Sequence, residues 1–303
     1  MDKNFYNEAS AKKLGWEPSW FGEKYFDDKL VRAIKKWQRI RHLKADGLCG
    51  PMTFRRLWTE RQEPVGDFCF DEPPSPSKYL VYNGDLYPIK WDKFVLWSSD
   101  GGLQAKRGNY YDYSARPKRN IRYFVNHWDV CLNSTACQGV LDKRGISVHF
   151  LIDNDGTIYQ TMDMQHAAWH AGSGRTNRAS VGVEISNAYY PKYQDWYTKA
   201  GHGQRPIIDD AWVHGTQLAP FMGFYPKQIA ALKALWEAVH GATGIPYEAP
   251  ENQFGKISTK YVQDVPYGKF SGFVSHYHVS KTKIDCAGLN IVSLLEELKE
   301  EEE

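Results

Sequence analysis

No stretch of the 303 residues comes near the run of about 20 apolar positions that a membrane-crossing helix requires. The opening M-D-K-N-F-Y-N-E-A-S has no apolar centre of the kind a secretory leader needs, so synthesis in the cytoplasm is expected, with no insertion into membrane. A charge excess is missing too. The formal net charge of +2 gives no field strong enough to recruit nucleic acid. Cysteine is sparse. Cys49, Cys69, Cys131, Cys137 and Cys286 are odd in number and irregular in spacing, which speaks against a disulfide framework. No C-x-x-C pair occurs, so a four-cysteine zinc knuckle is excluded. Free thiols are expected, with Cys131 and Cys137 able to bridge only if the fold brings them close. What is present is an ordinary globular composition, 42% hydrophobic and 24% charged, long enough for one large domain or two unequal ones. Its 15% aromatic content is assigned mainly to cores, although such rings also stack on sugars.

The first 62 residues read as a small helical module. Asp27 or Asp28 caps a helix beginning near Leu30, and Leu30, Ala33, Ile34 and Trp37 form one apolar stripe. Asp46-Gly47 is a turn, and Pro51 opens a second helix whose apolar side is Met52, Phe54, Leu57 and Trp58. Residues 63–78, with four prolines, read as an extended linker. Leu80 to Ile89 reads as a hairpin turning at Asn83-Gly84.

From residue 79 the pattern becomes mixed. Strands are expected at 121–128, 148–152, 157–161, 180–186 and 271–277, with amphipathic helices at 226–240 and 291–299. That combination means an α/β domain, a mixed central sheet flanked by helices, spanning 79–298. The acidic end, 299–303, opposes the dipole of the last helix and is expected to fray as a solvated tail.

Several polar residues sit where an apolar strand makes them informative. His127 ends I-R-Y-F-V-N-H-W, and a buried strand can hold an imidazole rigidly. In S-V-G-V-E-I, alternation puts Gly182 and Glu184 opposite Val181, Val183 and Ile185; a glutamate there needs a partner or a cavity. His276 and His278 are two apart, so on a strand they share a face.

Taken in order, I-R-Y-F-V-N-H-W, S-V-H-F-L-I-D (147–153), A-W-H-A-G (168–172), S-V-G-V-E-I (180–185) and S-H-Y-H-V-S-K-T-K-I-D-C-A-G (275–288) resemble the zinc-dependent type-2 N-acetylmuramoyl-L-alanine amidases, which share a fold with the peptidoglycan-recognition proteins. The resemblance runs from about Arg122 to about Leu298. The D-G-x-x-G-P-x-T pattern of Asp46, Gly47, Gly50, Pro51 and Thr53 resembles a peptidoglycan-binding module, in which Trp37 and Trp58 are read as core.

The resemblance implies hydrolysis of the amide between N-acetylmuramic acid and L-alanine, with Zn2+ as cofactor and wall peptidoglycan as partner. It implies His127 and His276 as metal ligands. The third ligand is Asp285, measured from Lys283, or Cys286, measured from the following Ala-Gly, with a lean to Asp285. Glu184 takes the place of the general base, and Lys283 that of the oxyanion donor. Trp169 and His170 line the substrate groove, and His149 supports from behind or packs in the core. The residues 187–225, rich in Tyr and Trp, form a groove wall or lid. A wall-binding module beside an amidase resembles a phage endolysin, made in the host cytoplasm as a monomer and released to the wall. A bacterial autolysin or recycling enzyme, or a non-catalytic peptidoglycan-recognition protein on the same fold, is the alternative.

Overall fold

The computed structural model describes residues 2–41, 43–62 and 78–302. The chain divides into two compact units, Met1–Glu72 and Pro73–Glu303. The expected linker lies outside the described residues except for Lys78, and so does Cys69.

The first unit holds helices α1 (Lys3–Leu14), α2 (Asp28–Ile40) and α3 (Pro51–Gln62). The Asp2 carboxylate accepts from Asn4 and Phe5 to cap α1, and Asp27 caps α2 in the same way. Ala11, Trp16, Leu30, Ile34 and Cys49 form its core. The D-G-x-x-G-P turn is held from behind by two buried amides. Gln38 Oε1 accepts from the Gly47 amide at 2.9 Å, while its Nε2 donates to Leu48 O and Thr53 Oγ1 at 3.1 Å. Asn7 Oδ1 accepts from the Cys49 amide at 2.9 Å. Gly47 is required for space as well as for its φ of 79°, since a Cβ would lie 2.7 Å from Val31 Cγ1. The expected core roles of the two tryptophans are corrected here. Trp58 is exposed, since among the described side chains of α3 it is Thr53 and Leu57 that turn fully inward, and Met52 is exposed as well; Trp37, on α2, is half-buried.

The second unit opens with an antiparallel hairpin, β1 (Lys78–Tyr82) and β2 (Asp85–Ile89). Asn83 and Gly84 both adopt positive φ, as a two-residue hairpin turn demands. There follow β3 (Phe94–Leu96), β4 (Tyr110–Tyr111), β5 (Tyr123–Trp128), α4 (Ser134–Arg144), β6 (Phe150–Ile152), β7 (Ile158–Gln160), β8 (Ala167–Ala168), α5 (Gly174–Ala179) and β9 (Ser180–Ile185). The 187–225 region carries α6 (Gln194–Lys199) and short strands β10 (Ile207–Ile208), β11 (Trp212–Val213), β12 (Thr216–Gln217) and β13 (Phe221–Met222). The chain ends with α7 (Pro226–Thr243), β14 (Gly272–Ser275), α8 (His276–Val279) and α9 (Ile291–Glu302).

The main sheet has the order β14-β5-β9-β6-β7-β3, parallel throughout except for the β6/β7 pair. Phe124, Val181, Val183, Ile185 and Phe273 join the inward side of α7, led by Leu232, Leu235 and Trp236, in one large core. Trp236 Nε1 donates to Asn126 Oδ1 at 3.2 Å, and Asn126 in turn donates to Val274 O, so the buried amide is satisfied across the sheet. Alternation then leaves His127, Gly182 and Glu184 on the opposite face.

Two expectations fail for identifiable reasons. The strand expected over 271–277 stops at Ser275 and becomes the single helical turn α8, because His278 Nδ1 accepts the Ser275 amide at 3.0 Å and closes that turn. The acidic end does not fray from residue 299. Helix α9 continues to Glu302, and Lys233 pairs with Glu297 at 2.9 Å and Glu301 at 3.0 Å. The expected free thiols are found at Cys49, Cys131, Cys137 and Cys286.

Candidate metal centre

Strands β5, β9 and β14 run parallel, and their carboxyl ends open on one cavity of about 370 Å³. A crevice at the carboxyl ends of parallel strands is where α/β sheets commonly place their chemistry. His127 comes from the end of β5, with Glu184 as its register partner on β9. His276 is the first residue of α8, directly after β14. Asp285 lies in the turn that follows, its backbone carbonyl accepting from the Tyr277 amide at 3.0 Å.

His127 Nδ1, His276 Nδ1 and Asp285 Oδ2 lie 3.0 Å from one another in all three pairings. All three side chains are buried. Bonds of about 2.0–2.1 Å at tetrahedral angles put ligand atoms about 3.3 Å apart, so this trio needs to open only slightly to grip a zinc ion. The donor set of two imidazoles and one carboxylate is also one that zinc favours. Burial pushes His127 down to about 4, and the neighbouring His276 adds to that. Burial would raise Asp285, but its contacts with His127 and His276 outweigh it and hold the carboxyl below its usual range. The site therefore offers neutral nitrogen and anionic oxygen, the forms a cation binds.

The alternatives left open by sequence are separated by packing. His278 has both ring nitrogens engaged, Nδ1 with the Ser275 amide and Nε2 with Ser258 O at 2.5 Å. The shared face predicted for His276 and His278 is thus corrected: α8 rotates one toward the cavity and the other into backbone. Cys286 is buried in the main core with Ala287 and Leu289, and burial drives its thiol well above the usual range.

Glu184 lines the same cavity, and its Oε2 is buried with no hydrogen-bond partner. Burial, then the nearby Asp285 and Asp129, raise it well above the ordinary carboxylate range. Such a carboxylate is a competent proton acceptor near neutral pH. Lys283 also lines the cavity, with an exposed side chain. His170 lines it too, its Nδ1 3.0 Å from His127 Nε2. Trp169 does not; its ring meets Tyr111 edge-on at 5.4 Å, outside the cavity lining. His149 is wholly buried, its Nδ1 accepting the Gly182 amide and its Nε2 beside His166 O. Sequence reasoning missed Asp129, Cys131 and Arg144 on the cavity wall, since nothing in D-V-C or the end of α4 marks them. The 187–225 region is anchored by the buried Arg205, which is stacked between Tyr197 and Tyr225 and bonded to Ser186 O.

The sequence profile described as N-acetylmuramoyl-L-alanine amidase matches residues 117–286, more than half of the chain. The chain belongs to that family. The amidase family's reaction, hydrolysis of the amide joining N-acetylmuramic acid to L-alanine in peptidoglycan, is accordingly the function of this chain. Residues 12–57 match a peptidoglycan binding domain. A comparison with curated proteins finds no match. Among solved structures, the amidase is similar to the N-acetylmuramoyl-L-alanine amidase LysC from Clostridium intestinale URNW at 17% identity and TM-score 0.41, over 68% of this chain and 97% of that one. It is similar to the Ph2119 endolysin from the Thermus scotoductus MAT2119 bacteriophage Ph2119 at 15% identity and TM-score 0.38, over 67% and 97%. It is also similar to the Drosophila peptidoglycan recognition protein PGRP-SA at 16% identity and TM-score 0.35, over 67% and 90%.

Proposed function

We propose that this amidase is zinc-dependent, with His127, His276 and Asp285 as the metal ligands, Glu184 as general base and Lys283 as oxyanion donor. The observation that carries the reading is the mutual 3.0 Å spacing of His127 Nδ1, His276 Nδ1 and Asp285 Oδ2 beside the unpartnered Glu184 carboxylate. Zinc held there would supply Lewis acidity, polarising the amide carbonyl and making water nucleophilic at neutral pH. Glu184 takes the proton from the attacking water and returns it to the leaving nitrogen of L-alanine. The Lys283 ammonium offsets the negative charge that builds on the carbonyl oxygen. His170 belongs to the cavity wall, and Arg144, which also lines the cavity, adds a second cation for the carboxylates of the stem peptide.

The helical unit acts as the wall anchor, at residues 1–62, and 79–298 as the catalytic domain. Tethering raises the local concentration of glycan at the catalytic cavity. That pairing supports a phage-endolysin role: synthesis in a host cytoplasm, release to the wall as a monomer, and lysis of the cell. The test is metal analysis and muropeptide digestion of the wild type beside His127→Ala, Glu184→Ala, Asp285→Ala and Cys286→Ala. The reading predicts metal and activity lost together in His127→Ala and Asp285→Ala, metal kept without turnover in Glu184→Ala, and metal kept in Cys286→Ala. Normal cleavage by Glu184→Ala removes it from the role of base.

A further inference from the structure

A neutral imidazole carries one proton, and a His that binds metal through Nδ1 must carry it on Nε2. The neighbours of His127 determine where its proton sits. Ser180 Oγ lies 2.8 Å from the Thr176 carbonyl oxygen. A carbonyl cannot donate, so the hydroxyl proton is committed to that contact. Ser180 Oγ also lies 3.1 Å from His170 Nε2, and with its own proton used it can only accept there. His170 must therefore hold its proton on Nε2, which leaves His170 Nδ1 as a lone pair. That lone pair faces His127 Nε2 at 3.0 Å, so His127 donates from Nε2 and its Nδ1 is bare.

We propose that Thr176, Ser180 and His170 form a hydrogen-bond relay that fixes His127 as the Nε2–H tautomer and so prepares Nδ1 for the cation. Ser180 and His170 are positioning residues, acting through His127. The inference rests on the metal reading above for its purpose, but the proton placement itself stands on the three contacts. Gly182 belongs to the same device. A Cβ there would lie 2.5 Å from the His170 ring, so only glycine lets the imidazole lie against β9. One contact competes with the relay. Asp285 Oδ2 lies 3.0 Å from His127 Nδ1 and would accept a proton there, so the relay must outweigh that pull in the metal-free protein, and a cation between the two atoms removes the competition.

The test has two readouts. Long-range proton–nitrogen NMR of the metal-free protein reports which ring nitrogen of His127 is protonated, without any metal or substrate. Chelator competition with Zn2+ reports affinity. In the wild type His127 is expected as Nε2–H. Ser180→Ala removes a buried hydroxyl with little change of volume. It should mix the His127 tautomers and weaken Zn2+ binding about 10- to 100-fold, the usual cost of losing a partner behind a metal-ligating histidine. His170→Phe removes the acceptor outright and should move the His127 proton to Nδ1. Unchanged amide spectra establish that both variants are folded. A wild type protonated on Nδ1, or Zn2+ affinity unchanged in both variants, overturns the relay. A wild type that shows the Nε2–H form and yet binds no Zn2+ leaves the relay standing and sinks the metal reading instead.

Discussion

Among the described residues two groups of three metal-ligating side chains have donor atoms within 4.8 Å of one another: His127, His276 and Asp285, and Asp129, Cys131 and Cys137. Asp129 and Cys131 line the same cavity as the first group, yet the two groups are chemically unlike. The Asp129 carboxylate already accepts three hydrogen bonds, from the Cys131 amide at 2.8 Å, the Asn187 amide at 2.9 Å and the Ser186 hydroxyl at 3.0 Å. Burial nevertheless pushes it up to about 7. Cys137 is held as a neutral thiol far above its usual range, first by Cys131 and then by burial, and a thiol is a poor ligand until it loses its proton. In the first group every donor has an electron pair with no hydrogen-bond duty elsewhere. Ligand-type residues within reach do not by themselves suit a cation; uncommitted electron pairs do.

The largest expected contrast comes from removing one member of each group. Asp285→Ala should empty the site and cost more than the ~100-fold that a lost supporting partner costs. Cys137→Ala should leave the metal content, measured by atomic absorption, unchanged. A Cys137→Ala protein that purifies without metal breaks the distinction. Next is Glu184→Gln, which should lower turnover by about 10²–10⁴-fold with the metal retained, measured on muropeptide at saturating substrate. Lys283→Met should cost about 10²-fold in turnover, with Zn2+ affinity close to wild type.

Smaller effects fall on stability. Burial raises Glu184 in the folded state above its unfolded value, so its charge opposes folding as pH rises past about 4.3. Glu184→Gln should therefore stabilise the metal-free protein by ~1–3 kcal/mol at neutral pH and by little below about pH 4, read from melting curves at both. Equal melting shifts at both pH values would mean the carboxylate is not buried as a charge. Smallest is Cys137→Ala, which loses packing against Leu141 and Leu151 for about 1 kcal/mol.

Much of this was legible in the chain itself, and the exceptions share a cause. The period-two pattern of β5 and β9 assigns their side chains correctly to the core face and the cavity face, although both faces are buried, and Asn83-Gly84 turns where a hairpin needs it. Helix α1 was not legible, because its inward residues include Asn7, whose job is to bond backbone some 40 residues away, while Phe5 is left exposed. The H-Y-H-V segment reads as strand by composition and becomes helix only through its contact with the Ser275 amide. Asp285 and Cys286 are adjacent, so spacing has no power to choose between them; what supports the proposed choice of Asp285 is its place beside the two imidazoles and the burial of Cys286 in the main core. Likewise no local pattern links Ser180 to His127 through His170. Periodicity reports which face a residue takes, whereas the site depends on which of its electron pairs are already spoken for.

The separation of the proposed ligands along the chain has a consequence for a cell that makes this enzyme. His127 and His276 stand 149 positions apart, joined only when the edge strand β14 docks beside β5. Under the proposed zinc reading, a nascent or clipped polypeptide lacking that last strand carries a single imidazole of the trio and cannot assemble the site. Wall-degrading power would then be withheld from incomplete products, and a break engineered between β9 and β14 would convert the hydrolase into two silent halves whose activity reports their reunion.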